Sequence, residues 1–314
     1  METKTSTRKR LISLAALFAL FLSPPAFAQA PLELSISPVR FEFAGYPGQQ
    51  FHETVRVINA SEEWLTATLE VLDFAPQGEE GQIVVGEGAA GERSLASWVH
   101  PATSGFTIPP RSRYPVDFVV DIPVEAEPGT HYGTILAVAQ AQDSGGGAQI
   151  VTKVGAVLLA DVYGDVREEL RVAGFGVPRF SSKLPIALAA RFENTGTVRA
   201  RPQGQITVRN LFGRTVATLA LEEANVLPGA VRRFPAMLRE RLWAGRYTAR
   251  LEATYGLTNP LSVASETSFW FIDWRNVGLP FLILLGTLLF LLSRRRNILP
   301  ALRALRRGDT GANP

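Results

Sequence analysis

The chain has no cysteine among its 314 residues. A disulfide framework, a zinc–thiolate centre and a cysteine nucleophile are therefore excluded. Histidine is scarce: the three present, His52, His100 and His131, have no second histidine at metal-ligand spacing. His52 lies beside Glu53 in an apparent strand, where neighbours point to opposite faces, so the pair reads as solvated or packed. There is no G-x-S-x-G elbow, no P-loop and no GxGxxG opening a helix. An excess of one charge is also lacking: 32 Lys and Arg face 29 Asp and Glu, for a net charge of +3, and the middle is nearly balanced. Nucleic-acid binding thus has no support. Long amphipathic helices are missing from the centre. What is abundant is apolar side chain, 46% of residues, which excludes a disordered chain.

The two ends predict a topology. Residues 1–28 read as a secretory signal: Lys4, Arg8, Lys9 and Arg10 form the charged region, Leu11 to Leu22 the apolar run, and Ala26-Phe27-Ala28 the small-x-small site with cleavage after Ala28. An uncleaved anchor is the alternative, disfavoured by the short apolar run. Val277 to Leu292 carries no charged residue, and Phe269, Trp270, Phe271 and Trp274 lie just upstream. Arg294-Arg295-Arg296 follows. The pattern predicts one transmembrane helix over 273–293, with an interfacial aromatic belt and a basic cytoplasmic tail over 294–314. Leu and Arg in that tail sit at roughly helical spacing, which suits either a headgroup-bound amphipathic piece or topogenic charge alone. The expected location is the cell membrane, single-pass, with the N-terminal part outside the cytoplasm.

Between the ends, period-2 apolar patterns are broken by Gly, Pro and Asn. One set of strands reads 32–43, 50–59, 65–74, 94–108 (interrupted), 113–121, 130–141 and 149–162. A second reads 168–180, 184–194, 201–211, 214–221, 231–238, 245–255 and 264–272. The expected fold is all-β, with two tandem immunoglobulin-like β-sandwich domains over 29–164 and 165–272. Ser144-Gly145-Gly146-Gly147 reads as a hairpin tip joining Thr134–Ala141 to Ile150–Asp161, since a linker there would leave the first domain without its last strand. The halves resemble each other. Val55-Arg56-Val57-Ile58-Asn59 and Ala190-Arg191-Phe192-Glu193-Asn194 each end a strand at asparagine. Tyr132 and Tyr247 stand where a tyrosine corner belongs, although His131 shifts the register at the first.

Chemistry is hard to find. Asp117 with Asp121, or Glu168 with Glu169, form imaginable acid/base pairs, but solvated strand-face charges explain them better. Gly78-Glu79-Glu80-Gly81 and Gly86-Glu87-Gly88 form an acidic loop, read as flexible and solvated, with weak cation or partner binding as the alternative. Asn59-Ala60-Ser61 matches a glycosylation sequon by chance. No catalytic, cofactor-binding or metal-binding residue is assigned, no cofactor is expected, and the partner-binding residues are unknown.

The order of parts resembles the WxL-interacting proteins of bacterial surfaces. Carrying the resemblance are Leu34-Ser35-Ile36-Ser37-Pro38-Val39, Tyr46-Pro47-Gly48-Gln49-Gln50, Val55 to Asn59 and Gly129-Thr130-His131-Tyr132-Gly133-Thr134. In the second half they are Phe192 to Gly196, Val226-Leu227-Pro228-Gly229 and Ala244 to Thr248. The resemblance implies a peptidoglycan-binding Ig-like domain, a second Ig-like domain for a host or partner protein, and a membrane anchor.

The leading expectation is thus a non-enzymatic, membrane-anchored envelope scaffold contacting peptidoglycan and a surface partner protein. The alternative is a chaperone-like or accessory subunit for assembly of a surface or secretion complex. Ser35-Ile36-Ser37-Pro38 resembles the start of periplasmic pilus chaperones, which work by strand donation. A third reading is a sensor subunit signalling through the tail.

Overall fold

The structure, a computed structural model, describes residues 33–141, 151–256, 260–273, 278 and 280–293. The expected signal peptide, the Ser144–Gly147 hairpin tip and the basic tail lie outside these residues.

The chain is mostly β. Its first part contains β1 (Leu34–Ser37), β2 (Arg40–Gly45), β3 (Gln50–Asn59), β4 (Leu65–Leu72), β5 (Phe74–Gln77), β6 (Gln82–Val85), β7 (Val99–Pro101), β8 (Gly105–Ile108), β9 (Ser112–Asp121), β10 (Gly129–Ala141) and β11 (Val151–Val162). Two sheets, β1-β3-β9-β7 and β2-β11-β10-β4-β8, face each other. The strands alternate as a half-buried sheet requires. On β3, Val55, Val57 and Asn59 are buried while Arg56 faces solvent. The N-terminal strand is split at Pro38: β1 pairs antiparallel with β3, and β2 then crosses to pair parallel with β11.

The second part contains β12 (Leu170–Gly176), β13 (Phe180–Ser181), β14 (Ile186–Asn194), β15 (Gln203–Asn210), β16 (Thr215–Ala220), β17 (Val231–Leu238), β18 (Gly245–Tyr255) and β19 (Leu261–Phe271). Its sheets are β12-β14-β17 and β13-β19-β18-β15-β16. Each part has its own buried core. Each core is centred on an edge-to-face phenylalanine pair, Phe41 with Phe118 at 5.1 Å and Phe192 with Phe234 at 5.2 Å. Such pairs add ~0.5–1.5 kcal/mol beyond the area they bury.

Two local devices recur in both parts. Asn59 and Asn194 are both fully buried at strand ends. Asn59 Nδ2 donates to Glu63 O at 2.7 Å and Pro109 O at 3.0 Å, while its Oδ1 accepts from Ser61 N at 3.0 Å. Asn194 Nδ2 donates to Val198 O at 2.7 Å and Val226 O at 2.8 Å, and its Oδ1 accepts from Gly196 N at 2.9 Å. Each amide thus supplies the backbone of a following loop with the partners that water cannot reach. This buried engagement explains why the Asn59 sequon is a chance match. The second device is the corner. Tyr247 Oη donates to Trp243 O at 2.7 Å, as the tyrosine-corner expectation requires. In the first part the equivalent bond comes from His131, whose Nε2 contacts Glu127 O at 2.9 Å. Tyr132 instead points outward and packs on Phe74 at 5.0 Å.

That outward packing belongs to a third small cluster of Phe74, Ala90, Tyr132 and Leu159, with Leu227 from the second part against it. It corrects the reading of Gly78–Gly88 as a flexible solvated loop. β5 and β6 form a hairpin over the outer face of the first part, and its tip reaches edge strand β17. Arg233 N donates to Glu79 O at 2.7 Å. Glu79 also pairs with Arg191, and Glu80 with Arg233 at 3.2 Å. An edge strand leaves N–H groups unpaired, and here an acidic tip meets one flanked by arginines. The interrupted strand expected over 94–108 opens instead with one 3-10 turn, Ala96–Trp98, followed by β7 and β8, and a second 3-10 turn, Gly91–Arg93, lies just before it.

The single-pass anchor expected over 273–293 is also corrected. Among the described residues no helix is long and apolar enough to cross a membrane.

Candidate partner-binding edge and cleft

β10 and β11 pair antiparallel from Gly129↔Val162 to Gln140↔Val151. On its other side β11 is covered by β2 only from Val157 onward. Val157 N donates to Val39 O at 2.9 Å, so residue 157 points its backbone groups away from β10. Backbone direction alternates along a strand. Val151, Lys153 and Gly155 therefore also present N–H and C=O groups outward, and no described strand pairs with them. Val154, partly buried against the core, faces inward along this stretch, and Val39 and Val151 stand exposed at its two ends.

The open edge leads to Arg40, the first residue of β2. The Arg40 side chain is about half exposed and lies 3.6 Å from Glu42. It lines a cleft of about 250 Å³ between the two parts, with Phe74, Gln82, Leu159, Asn225 and Arg232 among the other walls. The hairpin tip forms one side of the cleft and the Glu222–Ala230 segment the other.

A buried ionic joint holds the cleft's two sides in place. Arg199, from the second part, bonds Asp161 Oδ2 through Nε at 2.9 Å and Glu42 Oε2 through Nη1 at 2.8 Å. Thr130 Oγ1 donates to Asp161 Oδ1 at 2.6 Å and accepts from Arg199 N at 2.7 Å. Thr130 N donates to Thr197 O at 3.0 Å. Gly129 lies at φ +130°, and a Cβ there would stand 2.5 Å from Thr197 O, so only glycine lets the two backbones approach. Burial alone would raise the Glu42 carboxyl, but the hydrogen bond and charge of Arg199, with Arg40 behind, outweigh it and hold that carboxyl below its usual range. Burial likewise works against the charge on Arg199, and Asp161 and Glu42 more than restore it.

The structure separates most of the chemical candidates. His131 is buried against Trp98 at 4.4 Å and serves the corner. His52 and His100 both lie opposite Val119, one from β3 and one from β7, and share an open cavity with Asp117. Sequence spacing gives no hint of this juxtaposition, because register brings them together. Asp117 accepts from Thr54 Oγ1 at 2.6 Å, and no cluster able to hold a metal occurs among the described residues. Glu169 pairs with Arg167 at 3.6 Å. Neither acidic pair forms a two-carboxylate site. Of the residues that do converge, Arg40, Glu42, Asp161 and Arg199 carry no sequence signal, and Thr130 is marked only as part of the Gly129–Thr134 segment. The segment whose pattern resembles pilus chaperones, Ser35-Ile36-Ser37-Pro38, ends two residues before Arg40.

No family model matches the chain, and no curated protein matches it. Solved structures do. The YadV chaperone is 10% identical with a TM-score of 0.38, over 74% of this chain and 99% of that one. The class 5 fimbriae chaperone CfaA is 13% identical with a TM-score of 0.39, over 75% and 99%. The E. coli chaperone DraB is 14% identical with a TM-score of 0.36, over 76% and 97%. At these identities and TM-scores the likeness assigns no role to this chain. The leading expectation of a membrane-anchored scaffold contacting peptidoglycan is corrected. The anchor on which it rests is not found: among the described residues no helix is long and apolar enough to cross a membrane.

Proposed function

We propose that the chain is a non-enzymatic, chaperone-like or accessory subunit that holds an extended segment of a partner protein. It has two Ig-like sandwiches meeting near Gly164. The observation that carries this reading is the open backbone edge at Val151, Lys153 and Gly155, which runs into the cleft at Arg40. An extended segment added there would gain main-chain hydrogen bonds from the edge. Its alternate side chains would cover Val154 on the inner side. A carboxylate at its end would meet the Arg40 guanidinium, which presents a fork of donors suited to that group. The Arg199 joint keeps the cleft and the edge in one fixed relation, so the site is organised before the partner arrives.

Lys153→Pro tests this directly. Proline removes only the outward N–H of residue 153, which no described group uses, so the β10 ladder stays intact. Thr152→Pro removes a ladder bond and is the destabilised control. A photocrosslinker at Val151 should capture a protein partner in cells, and adding Lys153→Pro should abolish the adduct while leaving the thermal melt nearly unchanged. An adduct of undiminished yield in the well-folded proline variant would exclude strand addition at this edge.

A further inference from the structure

The outer face of the larger sheet in the second part carries a different kind of site, independent of the β11 edge. A cavity of about 370 Å³ is lined there by Arg209, Arg246, Thr248, Arg250 and Glu266 with the Asn210–Gly213 turn. Strand register builds it. Arg246, Thr248 and Arg250 alternate along one face of β18. Thr248 lies directly opposite Arg209 of β15 on one side and Ser268 of β19 on the other. Three guanidinium side chains therefore surround one hydroxyl, at neighbour spacings of about 5–7 Å.

The charges around them do not cancel. Arg250 is held by Glu252 at 2.8 Å and lies opposite Glu266. Arg246 donates to the neutral Ser268 Oγ at 3.2 Å. Arg209 forms no ion pair among the described residues. Two arginines thus sit side by side without carboxylates of their own, an arrangement that like-charge repulsion disfavours. We propose that this cavity binds a phosphate-class anion, a phosphate monoester or diester, between Arg209 and Arg246 with Thr248 donating its hydroxyl. Guanidinium forks match tetrahedral oxyanions bidentately, and the pair supplies charge that one lysine would not. The β15–β16 turn beside the cavity exposes Leu211 and Phe212, so a phosphate attached to a hydrocarbon would also find apolar contact.

The test uses the full chain and two probes, glycerol 3-phosphate by titration calorimetry at low salt and vesicles by co-sedimentation. In the second arm the signal is excess retention on phosphatidylglycerol over phosphatidylcholine vesicles. Arg209→Gln with Arg246→Gln should weaken binding at least tenfold in whichever arm the wild type binds, without moving the melt. Glu266→Gln removes the one acid of the cavity and should tighten binding. Arginine-dependent binding of glycerol phosphate supports the site with a soluble ligand. Arginine-dependent retention on anionic vesicles alone supports it with a lipid headgroup. Binding in neither arm, or binding that neither set of variants alters, overturns the proposal.

Discussion

The two sandwiches solve the same local problems with different side chains. Both close a strand with a buried asparagine, Asn59 or Asn194, whose amide feeds the loop after it. Both fix the start of a long strand by a ring that bonds the carbonyl four residues earlier. The ring is histidine in one and tyrosine in the other. The position is therefore set by the corner's geometry, which demands a rigid side chain with a polar atom at its tip, and the choice of ring is secondary. The first sandwich also spends residues 73–98 on an excursion that covers its outer face and touches the second. In the second, the outer face of the larger sheet stays open and polar. One sandwich is built to hold the joint, and the other leaves a sheet face available.

The hardest test of that comparison is at the joint. Asp161 is nearly fully buried and its charge is answered by Arg199 and Thr130. Arg199→Met leaves that carboxylate uncompensated, a loss of about 3–5 kcal/mol where a buried pair is broken from one side. Denaturant unfolding of the full chain should show the loss in the first sandwich, although the mutated residue belongs to the second. The joint should also loosen in acid. Because the Glu42 carboxyl is lowered from about 4.5, its contribution is complete above that pH and fades as pH falls through the folded value. Arg199→Met should remove this acid dependence. Equal acid sensitivity in the two proteins would place its origin elsewhere.

Next in size are the two asparagines. Asn194→Ala strips the carbonyl of Val198 of its amide partner and takes one of two donors from that of Val226, which still accepts from Ala200 N, and Asn59→Ala removes the amide donor from Glu63 O and Pro109 O. A buried group left without a partner costs about 1–3 kcal/mol and a lost hydrogen bond beside it about 1 kcal/mol, so each variant should lose roughly 2–4 kcal/mol. The loss should fall in its own sandwich. A loss of similar size in both sandwiches from either single change would show that they do not fold as separate units.

Much of the fold is legible from strand alternation, because each sheet has one buried face and the period of two is strong. β3 and β14 carry it in full: every second residue from Val55 to Asn59 and from Ile186 to Asn194 is buried. The hairpin at Phe74–Val85 is not legible, because it covers a face already backed by the core and its apolar residues are few. Register is the other blind spot. His52 and His100, or Arg209 and Arg246, are far apart in the chain and meet only through pairing. The ionic joint is hidden for the same reason, since Glu42, Asp161 and Arg199 come from three distant strands and loops. The predicted corner was half legible: the pattern located both corners but could not show that His131, not Tyr132, turns inward.

The corners give a smaller and more selective effect. His131→Leu removes one hydrogen bond, to Glu127 O, and Tyr247→Phe two, to Trp243 O and from Trp243 N, each worth about 1 kcal/mol. They should differ in their response to pH. Burial, ahead of the neighbouring Arg93 charge, lowers the pKa of His131 from 6.5. Below that pH the unfolded chain takes up a proton that the folded chain resists, so the unfolded state binds more protons and stability falls as pH drops. Wild type and Tyr247→Phe should both lose stability from about pH 6.5 downward. His131→Leu should be flat there. A parallel fall in His131→Leu would assign the dependence to another group.

The least disruptive change should be at the hairpin tip, and it separates positioning from stability. Glu79 and Glu80 meet Arg191 and Arg233 on exposed ground, where ions screen the attraction and such pairs add little to the fold. The backbone bond from Arg233 N to Glu79 O survives any change of side chain there. Replacing both acids by glutamine should therefore leave the unfolding transitions almost where they were. What should change is the hairpin's grip on β17. In wild type, amide exchange at Gly78–Gly81 and at Arg233 should speed up as salt rises from ~0.01 to ~1 M, since the Debye length shrinks from about 30 Å to about 3 Å. In the glutamine variant exchange should already be fast at low salt and insensitive to it. Because this tip walls the cleft beside Arg40, the same variant should bind a partner segment with a faster off-rate while the β11 edge remains intact. Slow, salt-independent exchange in the variant would mean that packing of Phe74 and Val85 on Tyr132 holds the hairpin without help from its charges.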